Sequence, residues 1–402
     1  MHNIRKIEDD IIRVGVSDRK LTMFEAVYPI SSGVSYNSYV ILDEKTALID
    51  TVEKHCGKEF FENVKAALNG RHLDYLIIQH MEPDHAALIP DILEKYPNIQ
   101  ILCSQKACDM ISQFFDIDGH CNFNAIKEND TISLGKHELR FIGAPMVHWP
   151  EVMVTYDITS KTLFSADAFG SFGAINGNIS DSEVEIGEEY INEVRRYYTN
   201  IVGKYGTQVQ ALLKKAANLE IKRICPLHGL ILEKNIPLFI EKYDKWSKYE
   251  PEENGVVIAY SSVYGGTENA CEALATKLAE RSVKNIKMFD TSMTHFSYVL
   301  AEMFKHSHIV IAANTYNNGI FVTMENVIHA ITSHGLKNRK YAVIQNGSWM
   351  PNCGAKVVEE LSKLSGTEFI NENSFTIKST LHESQEEELD QLADEILKSL
   401  NN

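Results

Sequence analysis

The sequence predicts an α/β chain of two domains. Across positions 1–250, short apolar runs end repeatedly in polar residues of the kind that ligate metals. The stretch 245–254, Lys-Trp-Ser-Lys-Tyr-Glu-Pro-Glu-Glu-Asn, is charged, contains Pro251 and reads as a linker. After it a strand, loop and helix alternation restarts, the pattern of a doubly wound parallel sheet. The domains are drawn as 1–250 and 255–402, in a chain whose 402 residues suit two or three.

Composition narrows the function. A formal net charge of −16 disfavours nucleic acid and anionic membrane surfaces as partners, since phosphate binding needs a basic face. No apolar run reaches membrane-spanning length. The stretch Met1 to Lys6 lacks the apolar core of a signal peptide, so a cytoplasmic location is expected. The seven cysteines (56, 103, 108, 121, 225, 271 and 353) form no C-x-x-C pair. They read as reduced thiols and argue against a built-in cysteine-ligated iron module.

In chain order, Ile11 to Val16, Ser38 to Leu42 and Thr46 to Asp50 are expected strands, with a turn-rich stretch at 33–39. Lys58 to Leu68 has helical spacing. Tyr75 to Ile78 is a buried strand leading into His80-Met81-Glu82-Pro83-Asp84-His85, and a helical run, Ala86 to Ile89, follows. The motif H-x-E-x-D-H sets four metal-type ligands at a strand's C-terminal end, where α/β proteins place their chemistry. For any one of these residues the ordinary reading is a charged loop with Asp84 as a helix cap; four at this spacing favour a metal. Imidazole with carboxylate suits iron, manganese or zinc.

His80 and Glu82 alternate toward one side, while Asp84 and His85 lie further on, placed for a second metal. Two metals need more ligands, including a bridging carboxylate. After the strands at 101–103 and 138–142, His148 sits in a loop stiffened by Pro145 and Pro150. The strand at 162–165 ends at Asp167, and the short run at 224–225 ends at His228, followed by Gly229. His80, Glu82 and His148 are assigned to one metal and Asp84, His85 and His228 to the other, with Asp167 between them.

Past the linker, the strand Val256 to Tyr260 feeds Ser262, Val263, Tyr264, Gly265, Gly266 and Thr267, then a helix from Glu268 to about Arg281. Hydroxyls, backbone N–H groups and the helix dipole converge there on an anion. No lysine stands at the P-loop position, which points to a tightly held monophosphate cofactor rather than a nucleoside triphosphate. Two further strands end in Asn314, Thr315, Tyr316, Asn317, Asn318 and Gly319, and in Asn346, Gly347, Ser348, Trp349 and Met350. These are the loops of a switch point.

With Glu82 where the metallo-β-lactamase superfamily has its second His, and with His148, Asp167 and His228, the first domain resembles the flavodiiron proteins. The three later loops resemble flavodoxin. Ser262, Gly265 and Thr267 fit its phosphate-loop pattern, while Tyr264 replaces the commoner Thr. The resemblance spans nearly the whole chain. It implies an αββα metallo-β-lactamase-like sandwich followed by a doubly wound flavodoxin-like sheet. It also implies two non-haem irons on the seven ligands, with Asp167 fixing their separation, and FMN on the second domain. The implied activity is reduction of O2 to water, of NO to N2O, or both. Electrons would come from an external donor such as rubredoxin, in a head-to-tail homodimer or a dimer of dimers. Tyr28, Tyr36 and Trp149 are candidates for residues packed around the metals, although core packing is their ordinary role. Lys337, Asn338, Arg339 and Lys340 are a candidate basic patch for the donor, against the ordinary reading of a solvated charged loop. The alternatives are a zinc hydrolase fused to a flavodoxin, and a non-catalytic electron carrier.

Overall fold

The computed structural model describes residues 1–117 and 122–401; Cys121, counted above among the thiols, lies outside the described residues. The chain forms two compact units, Met1–Tyr198 with Thr207–Asp244, and Thr199–Gly206 with Lys245–Asn402. Helix Ile236–Ser247 runs into the charged stretch and strand Glu253–Tyr260 begins inside it, so the connection is residues 248–252.

The first unit holds two mixed sheets. One is ordered Arg5–Lys6, Ile11–Arg13, Tyr39–Leu42, Thr46–Ile49, Tyr75–Ile78, Gln100–Ser104 and Asn122–Ile126. The other is ordered Thr131–Ser133, Glu138–Gly143, Met153–Asp157, Thr162–Phe164 and Arg223–Cys225. Alternate residues of both sheets build one core: Ile41, Ile49, Ile77 and Leu102 pack with Phe141, Phe164 and Cys225. The other parity of the first sheet, including Val40, Leu48, Ile101 and Cys103, is also buried, and helices Gly57–Leu68 and Gln105–Phe114 contact that sheet. Two sheets packed face to face with helices on an outer face fit the αββα arrangement.

Two local expectations are corrected. The run Ile11 to Val16 is not one strand: Ile11–Arg13 stays in the first sheet, while Val16–Asp18 pairs with Val34–Tyr36 in a separate ribbon. The break falls at Gly15, where a Cβ would stand 2.1 Å from the Tyr36 carbonyl oxygen, so only glycine lets the chain cross there. The helix after the H-x-E-x-D-H motif is two short pieces, Pro83–Ala86 and Ile89–Lys95. Pro83 opens the first at a position where its missing N–H costs nothing.

The second unit is a parallel sheet ordered Ile286–Asp290, Glu253–Tyr260, His306–Tyr316 and Lys340–Asn346, with Glu368–Phe369 and Phe375–Ile377 both paired to the last. Val256, Ile258, Val310, Ala312 and Ile344 pack against Leu274, Leu278, Leu392 and Ile396 of two helices. Helices Phe296–Lys305 and Cys353–Leu361 also contact the sheet. Burial on both faces explains the unbroken apolar runs that mark these strands in the sequence. No helix among the described residues is long and apolar enough to cross a membrane.

Candidate metal centre and cofactor cleft

The seven predicted ligands come together in the first unit as two groups. His80 Nε2, Glu82 Oε2, His148 Nε2 and Asp167 Oδ2 form one, with separations of 3.0 to 3.4 Å along five of its edges. Asp84, His85 and His228 form the other: His85 Nε2 is 3.1 Å from His228 Nε2, and each imidazole is within 3.4 Å of an Asp84 oxygen. Asp167 Oδ1 lies 3.2 Å from His85 Nε2 and 3.7 Å from His228 Nε2. One carboxylate thus gives one oxygen to each group. Ligands about 2.1 Å from a common ion stand about 3.0–3.4 Å apart, so these spacings are those of coordination shells.

Hydrogen bonding alone does not satisfy the cluster. The Nδ1 of His228 is 2.8 Å from the Ser35 carbonyl oxygen, which only accepts, so Nδ1 carries the proton and Nε2 faces His85 Nε2. Both oxygens of Asp84 and Oδ1 of Asp167 are buried with no hydrogen-bond partner. Buried carboxylate oxygens left so cost several kcal/mol each unless a cation meets them. The donor set therefore fits a pair of metal ions.

The electrostatics agree. Burial opposes the charged forms of Asp167 and Glu82, yet the surrounding imidazoles hold both carboxyls well below the usual range. Burial opposes protonation of His85 and His148, yet Asp84 and Asp167 push His85 up to about 9, and Asp167 and Glu82 push His148 up to about 9. Without metal the imidazoles carry the positive charge that the carboxylates demand, and a metal ion takes the place of those protons.

Several supporting residues escape sequence reasoning. Glu151, fully buried as a side chain, places Oε1 2.8 Å from His80 Nδ1 and accepts the Met81 N–H at 2.9 Å. Asp50 accepts the Gln79 N–H and side-chain amide, bracing the strand end that presents His80, and burial pushes its carboxyl up to about 6. Of the expected neighbours, Trp149 stands edge-on to His80 and Tyr36 against His228, which Phe24 and Tyr197, not foreseen, also surround. Tyr28 packs against Phe172. Met146 and Ala166, two and one residues before His148 and Asp167, adopt left-handed backbone at φ 63° and 50°. Non-glycine residues in that region are strained by about 1–3 kcal/mol, which the surrounding loops must hold in place.

In the second unit, the three predicted loops leave the C-terminal ends of adjacent parallel strands and border a cavity of about 740 Å3. Of the predicted binding residues, Ser262, Gly265, Thr267 and Gly319 are not in its wall. Ser262 Oγ instead accepts the N–H groups of Gly265 and Glu268, shaping the loop. Gly265 at φ 86° turns the chain into helix Gly266–Glu280, leaving that helix's first N–H groups aimed at the loop. Thr267 is fully buried and bonded to Asn346 Nδ2. Ser379, unforeseen from sequence, lines the cavity and is tied to both sides of Asn346. The basic patch expected at Lys337 to Lys340 is not one: Arg339 is completely buried, its guanidinium donating to the carbonyls of Tyr249, Met303 and Phe304.

Residues 34–229 match the model of the ODP family beta lactamase. A nitric oxide reductase of Moorella thermoacetica is 32% identical over 92% of each chain. The rubredoxin oxygen:oxidoreductase of Desulfovibrio gigas, 26% identical, superposes with a TM-score of 0.93 over 99% of this chain and 98% of that one. The flavodiiron protein of Giardia intestinalis reaches the same TM-score at 23% identity over the same shares, a likeness of fold. Near-complete coverage in both directions, with both units and their order shared, makes this chain a member of the flavodiiron protein family.

Proposed function

We propose that this chain is an oxidoreductase that reduces O2 to water, NO to N2O, or both, at two non-haem irons, drawing electrons through FMN from an external donor such as rubredoxin. The metal-holding domain is assigned to 1–250 and the FMN domain to 255–402. The observation that carries the reading is the sharing of Asp167, whose Oδ2 belongs to the group of His80, Glu82 and His148 and whose Oδ1 belongs to that of Asp84, His85 and His228.

Bound there, paired irons supply adjacent redox-active sites for small gases, and the flavin supplies electrons singly. The chain's own part is position and electrostatics. Asp167 spans the two groups and sets their separation. Glu151 and the Ser35 carbonyl orient His80 and His228 so that Nε2 is the free nitrogen. Trp149, Tyr36 and Phe24 wall the imidazoles with apolar rings. In the cleft, the first N–H groups of helix Gly266–Glu280, behind a loop that Ser262 shapes, suit a dianionic phosphate with no lysine, the requirement of a monophosphate such as that of FMN. Tyr264 and Trp349, 98% and 90% exposed, are placed to flank a planar ring.

The test is anaerobic stopped-flow of the fully reduced protein against O2 and NO separately, with metal and flavin measured on the same sample. Two irons and one FMN per chain, oxidised rapidly by either gas, are expected. Zinc in the site, or flavin that reoxidises no faster than in the iron-free protein, would overturn the reading.

A further inference from the structure

Cys103 and Cys108 are five residues apart and sit on different elements. Cys103 is in strand Gln100–Ser104, and Cys108 is in the helix that starts at Gln105. Strand alternation sends Leu102 into the inter-sheet core and Cys103 to the opposite face, over which the helix packs. The two Sγ atoms approach to 3.0 Å without being bonded. Cys103 is completely buried, whereas Cys108 is only half-buried and reachable by small reagents. Ser104 caps the helix by accepting the Ala107 N–H, which places Cys108 within the first turns, at the positive end of the dipole. The Cys103 contact holds the Cys108 thiol below its ordinary range; that contact and burial push Cys103 up. The pair therefore has the asymmetry that thiol oxidation requires: an accessible sulfur near a helix start beside a buried one that can resolve it.

We propose that Cys103 and Cys108 are a reversible dithiol–disulfide pair, oxidised by hydroperoxides. The Cys108 thiolate attacks the peroxide O–O bond, forming S–OH and releasing the other oxygen, with a proton, as water or an alcohol. The Cys103 sulfur then displaces hydroxide from Cys108 sulfenic acid. An S–S bond forms, and the hydroxide takes the Cys103 proton and leaves as water. Two thiols are oxidised by two electrons and one peroxide is reduced by two. Closing the bond requires the sulfurs to move from 3.0 Å to about 2.05 Å, a small shift of the first helical turn toward the strand end.

The experiment is stoichiometric hydrogen peroxide treatment of the metal- and flavin-loaded protein under anaerobic conditions. Alkylation and peptide mass spectrometry without reductant follow. The expected result is a peptide carrying both residues, two hydrogens lighter and unalkylated, which dithiothreitol returns to the doubly alkylated form. The loss should be absent in C103S, where Cys108 stops at sulfenic acid and is trapped by dimedone, and absent in C108S. Full alkylation of both residues in the treated wild type would overturn the proposal. So would dimedone trapping of Cys108 in the wild type at the C103S level, because Cys103 would then not be resolving it.

Discussion

Glu151 Oε1 lies 2.8 Å from His80 Nδ1, and the same oxygen accepts the Met81 N–H at 2.9 Å. One carboxylate thereby fixes both the imidazole's tautomer and the backbone from which it projects. Partners of this kind are worth about 10- to 100-fold in metal affinity. Glu151→Gln, which keeps the shape and removes the charge, is expected to weaken iron retention by about that factor while leaving the fold intact. Chelator extraction rates monitored by iron content check this, and identical rates in variant and wild type would remove Glu151 from the account.

Gly266 opens helix Gly266–Glu280 against the Ser379 backbone, and a Cβ there would stand 2.0 Å from the Ser379 carbonyl oxygen. Gly266→Ala must push the loop and the 379 segment apart. Flavin affinity is expected to fall by at least about tenfold, equivalent to about 1.4 kcal/mol. Flavin content after gel filtration, with circular dichroism confirming an intact sheet, reads the effect.

Arg339 carries a buried guanidinium whose donors are taken up by main-chain carbonyls of Tyr249, Met303 and Phe304. Burial lowers its pKa to about 10, which still leaves it protonated at neutral pH. Arg339→Met leaves those carbonyls without donors and is expected to cost about 3 kcal/mol. Urea unfolding should show a lower midpoint for the transition of the second unit; an unchanged midpoint would contradict the assignment.

His137 is nearly inaccessible, with Nδ1 2.6 Å from Asp157 Oδ2 and Nε2 3.1 Å from Asp10 Oδ2. Burial works against its protonated form, but the two carboxylates win and raise its pKa. A raised folded pKa means stability that is fully present below the unfolded value of about 6.5 and lost as pH rises through the folded value. The stability gap between wild type and His137→Gln should therefore be wider at a pH below about 6.5 than at an alkaline pH. Denaturant titrations at the two pH values decide it, and a gap that widens with pH would refute the sign.

The residues that converge on the metal centre were legible because each stands in the loop that follows an apolar strand run, a pattern set by local sequence. Their supports were not. Glu151 follows Pro150 in an ordinary loop, and nothing local says that its carboxylate turns back to residue 80. Arg339 reads as one charge in a basic run; only the fold reveals carbonyls converging on it from two other segments. Gly15 broke an expected strand because of a backbone 21 residues away, at Tyr36. Cys103 and Cys108 fit no metal or redox spacing, and their contact exists only because a strand end and a helix start fold over each other.

The ligand geometry has a mechanical side. His85 and His228 are 143 residues apart in sequence, and their Nε2 atoms are 3.1 Å apart in space. An ion held by both closes a loop that spans most of the first unit, including strands of both sheets. Such a closure acts on the unfolded chain as a cross-link, and its entropic worth grows with the length enclosed. The metal is then also a rivet: iron that leaves the site takes with it part of what keeps the two sheets folded on each other.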